Sequence, residues 1–101
     1  MPDIQDFELR TATWSADRAA LQSVRRSVFV EEQGIPESEE WDDVDPVAAH
    51  VLVLAKNRDA VGTGRLEPTG KIGRVAVLPQ YRGAGVGSRI MGHLEIGRAH
   101  V

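Results

Sequence analysis

The sequence contains no cysteine, which removes disulfides, thiolate nucleophiles and thiolate metal sites together and fits a reducing compartment. Long apolar runs are also missing. Val51 to Ala55 and Val75 to Leu78 fall far short of the ~20 residues needed to cross a bilayer, so a membrane is not an expected partner. The opening Met-Pro-Asp-Ile-Gln-Asp is acidic and lacks the basic and apolar regions of a secretory leader, so a cytoplasmic location is expected. Neither an internal repeat nor a low-complexity tract is visible. What remains is 101 residues, 42% hydrophobic and 27% charged, a composition that suits one small folded domain and not a disordered chain.

A formal net charge of -3 conceals an asymmetry. Residues 1–50 carry 12 acids and 4 bases, and residues 51–101 carry 3 acids and 8 bases. The acids concentrate between Glu31 and Asp45, where Glu31, Glu32, Glu37, Glu39, Glu40, Asp42, Asp43 and Asp45 stand without one Lys or Arg. Such a window attracts cations and repels phosphate backbones, which disfavours nucleic acid as a partner. Two surfaces of opposite sign are expected, with most of the carboxylates on a solvated face.

Alternation predicts a first strand over Phe7 to Ala12. Ser15 is a candidate N-cap, and Ala20, Leu21, Val24 and Val28 then recur at helical spacing, which predicts a helix over about 16–30. Gly34-Ile35-Pro36 ends it. The stretch from Glu37 to Val47 reads as a loop or short irregular helix, long for a mere connector. Three β-rich runs follow, Ala49–Ala55, Ala60–Glu67 and Lys71–Val77, joined by hairpin-length links that predict an antiparallel meander. Gly62 and Gly64 inside the middle run suggest a bulge or a close backbone approach. Helical spacing resumes at Val86, Ile90, Met91 and Leu94. The order β, α, loop, β, β, β, α is an α+β arrangement.

The segment from Arg74 to Ser88 carries the chemistry: an apolar strand, a Pro-Gln-Tyr link, then glycines that open a helix. Alternate glycines let successive backbone N–H groups converge, the helix N-terminus adds unpaired donors, and Arg82 adds a full charge, so a phosphate or pyrophosphate would fit. The dinucleotide fingerprint fails because Ser88 stands where its third glycine belongs. The nucleotide P-loop fails because no lysine follows Gly87. What matches is Arg-x-x-Gly-x-Gly, at Arg82, Gly85 and Gly87, after Val75-Ala76-Val77.

This pattern closely resembles the acyl-coenzyme A motif of the GNAT superfamily of N-acetyltransferases. Val28-Phe29-Val30-Glu31-Glu32-Gln33, the acidic loop with Asp42 and Asp45, His50 and the meander follow the order of that domain. The whole is most similar to a bacterial subgroup of small GNAT acyltransferases without defined substrates. The resemblance implies a GNAT-like α+β fold, a mixed and mostly antiparallel sheet flanked by helices. It also implies an acetyltransferase with acetyl-CoA as cosubstrate, no metal, and a primary amine of a small molecule or peptide as acceptor. The pyrophosphate would lie on Arg82, Gly83, Ala84, Gly85, Val86, Gly87 and Ser88, and the pantetheine arm along Val75, Ala76 and Val77. A backbone N–H near Val77 or Leu78 would hold the oxyanion.

Catalytic groups are not fixed by the sequence. Glu31, Glu32, Glu40, Asp42 and Asp45 are candidate bases or anchors for a cationic amine, with His50 more readily a packed or loop-anchoring residue than a base. Trp14 and Trp41 read as core or lid residues, although Trp41 could face a cationic substrate. Tyr81, the only tyrosine, sits in the link before the glycine turn and is a poor candidate acid. A non-catalytic acyl-CoA binding or sensing domain is the alternative, and a ligand-free interaction module a third. The family's last strands and helix would follow residue 94. Residues 1–94 therefore read as a C-terminally truncated domain and 95–101 as a non-native tail, because one frame of a widely used sequencing adapter encodes Ile96 to Val101. A chain ending there is expected to be marginally folded, inactive, and prone to self-associate, as a homodimer, through an exposed strand edge.

Overall fold

A computed structural model describes residue 3 and residues 6–100. Met1, Pro2, Ile4 and Gln5 of the acidic opening and Val101 of the expected tail lie outside the described residues. The chain runs β1 (Glu8–Ala12), α1 (Trp14–Arg25), a π-helical segment (Arg26–Glu32), α2 (Glu37–Glu40), β2 (Ala49–Leu54), β3 (Ala60–Leu66), β4 (Ile72–Val77), a 3₁₀ turn (Pro79–Tyr81) and α3 (Val86–Ala99). The strands form one sheet in the order β1-β2-β3-β4, with every neighbouring pair antiparallel. The α+β arrangement and the meander are as the sequence predicts.

The unbroken apolar run of β2 is explained by burial on both faces. Val51 and Val53 join Phe7, Val61 and Leu66 under Val86, Ile90 and Leu94 of α3. Leu52 and Leu54 point the other way and pack with Ala12, Trp14 and Leu21. The sheet is thus a middle layer between α1 and α3, and each added apolar side chain stabilises by about 1.5–3 kcal/mol on burial. Gly64 is the close approach its position suggests. A Cβ there would stand 2.6 Å from Ile90 Cγ2 and 2.8 Å from Leu94 Cδ1, so α3 rests directly on the backbone of β3. Of the expected apolar face of α3, Met91 departs and is exposed.

Two features of the first helix differ from expectation. Its N-cap is Thr13, not Ser15: the Thr13 hydroxyl accepts from the Ala16 N–H at 3.2 Å, and Asp17 accepts from the Thr13 N–H at 3.0 Å. Both hydroxyl residues are competent caps, and only Thr13 has its N–H answered by a carboxylate four residues on. Beyond Arg25 the helix widens instead of continuing in α form. Gln33 N–H reaches back five residues to Val28 O, and Gly34, at φ 76°, ends the segment. Periodicity over a single turn does not separate α from π, and such widenings are frequent beside functional sites.

Candidate functional site

β4 is an edge strand, and where it ends the chain turns into the glycines. Leu78 N–H donates to Val61 O at 2.9 Å, the last rung of the sheet. Val77 carries its carbonyl away from the sheet, where it accepts from Arg82 Nε at 2.9 Å. In an antiparallel strand the N–H and C=O of one residue point to the same side, so the Val77 N–H faces that free edge too. This corrects one expectation: the Leu78 N–H is spent within the sheet, and Val77 alone keeps an edge donor for an oxyanion.

After the 3₁₀ turn, Gly83 and Gly85 take φ of 90° and 84°, a left-handed conformation that a side chain would strain. Gly85 is also the N-cap of α3 and has no side chain to offer, so the N–H groups of Val86, Gly87 and Ser88 are left for an outside acceptor. Gly87 differs in kind. Its backbone is helical, and a Cβ there would meet Val77 Cγ2 at an ordinary 3.8 Å. Any need for glycine at that position comes from what approaches its amide, not from the backbone.

These elements line one open cleft of about 470 Å³, a size that suits part of a large cofactor. Val75, Ala76 and Val77 form its floor along the β4 edge. Gly83, Gly85, Val86, Gly87 and Ser88 line it together with Tyr81 and Arg82, and so do Val28 and Gln33. Nine of the ten expected cofactor residues therefore meet in a single space. Ala84, the tenth, packs against the core instead. Val28 and Gln33 lie on the π-helical widening and its cap, which no α-helical spacing could have indicated.

Arg82 is not a bare cation. Its two terminal nitrogens donate to Glu32 at 2.8 and 2.7 Å, and this pairing draws the Glu32 carboxyl below its ordinary value. None of Glu31, Glu32, Glu40, Asp45 and His50 lines the cleft, and Glu40, Asp45 and His50 are, like Glu32, engaged elsewhere. Glu31 is exposed. Glu40 and Asp45, 2% and 0% exposed, receive Arg25 at 2.9 and 2.7 Å. Asp45 also receives Arg65 at 2.8 Å, and Asp42 receives both terminal nitrogens of Arg65 at 2.8 and 2.9 Å. Burial pushes the Asp45 carboxyl up, yet Arg25 and Arg65 bring it net below its ordinary value. The Arg65 guanidinium brings Asp42 to about 2. A carboxylate so held is a poor proton acceptor at neutral pH.

His50 donates from Nε2 to the Asp45 carbonyl at 2.8 Å, stacks on Trp14 at 5.6 Å, and has its pKa lowered by burial. It anchors the loop. Trp41 faces the chain's own Arg25 and Arg26, at 5.1 and 5.5 Å. All carboxylates of the acidic window except Glu40 and Asp45 are exposed, as expected of a solvated face, yet Glu32, Glu37, Glu40, Asp42 and Asp45 all pair with arginines of the same chain. Most of the charge asymmetry read from the sequence is satisfied internally.

Residues 48–100, from just before β2 to the end of α3, match the acetyltransferase (GNAT) domain family. The chain is 37% identical over 95 residues to the uncharacterized protein YyaT of Bacillus subtilis, aligned over 88% of its own length and 64% of that protein's. To the uncharacterized N-acetyltransferase YjcF of the same organism it is 41% identical over 75 residues, 71% of this chain and 53% of that one. It therefore spans less than two thirds of the length of either relative. In solved structures it is similar to an acyl-CoA N-acyltransferase from Pseudomonas aeruginosa, with a TM-score of 0.77 and 25% identity over 90% of this chain and 69% of that one. The family match spans β4, the glycine turn and α3, the elements that line the cleft, and the chain belongs to the GNAT acetyltransferase family.

Proposed function

We propose that the cleft between β4 and α3 binds acetyl-CoA and that the protein transfers its acetyl group to a primary amine of a small molecule or peptide. The observation that carries this reading is the meeting of two donor sets in one cleft. The unpaired amides at the start of α3 suit a pyrophosphate, and the open edge of β4 suits the amides of a pantetheine arm. The residues present fit the cosubstrate: Gly83 and Gly85 permit the turn, and Gly87 leaves its amide uncovered.

In the transfer, a neutral amine adds to the thioester carbonyl. A C–N bond forms, the C–S bond breaks, the amine proton leaves to water, and the thiolate takes up a proton. Val77 N–H, on the free edge, is the donor this chain offers to the developing oxyanion.

Isothermal calorimetry with acetyl-CoA, followed by detection of free thiol with a broad panel of amines, tests both halves. Binding with turnover supports the transferase. A second reading, an acyl-CoA binding or sensing domain, is favoured by one observation: every carboxylate and imidazole considered as a base lies outside the lining of the cleft. Binding without thiol release by any amine supports that reading, and no binding at all removes both.

A further inference from the structure

β4 is not regular. Thr63 pairs with Ala76 and Arg65 pairs with Gly73, so the single residue Gly64 stands opposite both Arg74 and Val75. Arg74 absorbs the extra residue by taking a left-handed backbone, φ 51°, which a long side chain disfavours. An unfavourable conformation persists only where its surroundings hold it. Here they hold it from two sides. The Thr63 hydroxyl donates to the Arg74 carbonyl at 3.2 Å. The guanidinium reaches into the acidic loop, where Nη2 donates to the Glu40 carbonyl at 3.2 Å and to Asp42 Oδ2 at 3.3 Å, and Nε lies 2.9 Å from Glu40 Oε2. Glu40 and Asp42 are in turn fixed by Arg25 and Arg65, which are 1% and 3% exposed. The next three residues after Arg74, namely Val75, Ala76 and Val77, are the floor of the cleft.

We propose that Arg74, clamped by Glu40, Asp42 and Thr63, is a positioning residue that sets the course of the β4 edge on which the pantetheine arm of acyl-CoA pairs. This rests on the acyl-CoA reading of the cleft. The acidic loop then acts on the ligand at one remove: its carboxylates touch no substrate, and they fix the backbone that does. The arginine has two separable parts. Its backbone favours glycine, and its guanidinium favours the acidic loop. Arg74→Gly keeps the bulge conformation accessible and removes only the clamp, whereas Thr63→Val removes one hydroxyl from the other side of the same carbonyl at nearly constant volume.

The test compares two probes on the folded wild type, Arg74→Gly and Thr63→Val: acetyl-CoA, and adenosine 3′-phosphate 5′-diphosphate, the nucleotide half of CoA without pantetheine. The nucleotide probe reports the turn at 83–88 alone, and the difference between probes reports the β4 edge. Arg74→Gly should weaken acetyl-CoA by on the order of tenfold and leave the nucleotide unchanged, with Thr63→Val smaller in the same direction. Equal losses for both probes would mean a general loosening of the fold and would overturn the proposal, as would no loss for either. If Arg74→Gly does not fold, Thr63→Val decides on the same criterion. Failure of the acyl-CoA reading looks different: the wild type itself would bind neither probe, or would bind acetyl-CoA no better than the nucleotide, and the positioning role would fall with it.

Discussion

Arg82 and Glu32, fifty residues apart in sequence, form a two-pronged ion pair that ties the end of the π-helical segment to the turn before α3. The cation that the glycine turn would offer to a phosphate is thus already matched by a carboxylate. The same arginine occupies the Val77 carbonyl on the strand edge. A ligand with both phosphates and amides would compete for this side chain at each of its ends. Glu32→Gln should therefore tighten binding of the CoA nucleotide by on the order of fivefold at low salt, and the gain should shrink as salt rises. Calorimetry at two ionic strengths measures it. Weaker binding would show instead that Glu32 holds Arg82 in its productive position.

Glycines 85 and 87 should respond to substitution in opposite ways. Gly85→Ala places a side chain on a left-handed backbone and should destabilise the fold by about 1–2 kcal/mol, with loss of acetyl-CoA affinity. Gly87→Ala meets only Val77 at van der Waals distance and removes a glycine from a helix. It should raise stability by up to about 1 kcal/mol and yet weaken binding, because the new methyl crowds the amide. Urea unfolding together with calorimetry separates the two, and equal stability effects would contradict this account.

How much of this was legible in the sequence follows from the range of the interactions. The strands at Ala49, Ala60 and Ile72 and the turn at Gly83 to Gly87 were legible because apolar runs, hairpin links and glycine spacing are local. Gly64 was legible as an irregularity, although that Ile90 and Leu94 cause it was not. The ion pairs of the acidic loop were not legible because its partners arrive from α1, β3 and β4: Arg25 is 20 residues from Asp45, and Arg65 is 23 from Asp42. Nothing in the sequence marks Arg74 as left-handed. The π widening likewise depends on what the helix end touches, not on propensity.

Acid should destabilise the protein in two separate steps. Burial holds the His50 pKa below 6.5, so the imidazole stays neutral in the folded chain while the unfolded chain takes up a proton. Stability should accordingly fall as pH drops below about 6.5 and level off beneath the folded pKa. Asp42, drawn from 3.8 to about 2 chiefly by its hydrogen bonds to Arg65, contributes stability above 3.8 that is lost as pH falls toward 2. Urea unfolding across this range should show both steps, and His50→Gln, which keeps an N–H for the Asp45 carbonyl, should abolish only the first.

Gly64→Ala should destabilise by about 1–3 kcal/mol through overpacking, since its Cβ would fall within 3 Å of both Ile90 and Leu94. The same change at Gly73, where the space is open, should cost far less. Thermal unfolding of the pair checks whether α3 is seated on β3 as closely as described.

The three arginines at positions 25, 65 and 74 and the three carboxylates at 40, 42 and 45 are equal in number and largely withdrawn from water. Losing any one of the deeply buried members strands a charge, which typically costs 3–5 kcal/mol, whereas exchanging an opposite pair for apolar groups can be nearly neutral. The six positions should therefore be inherited as a block. Drift through the family should pass through paired replacements, and a relative lacking Arg65 should also lack an acid at 42 or 45.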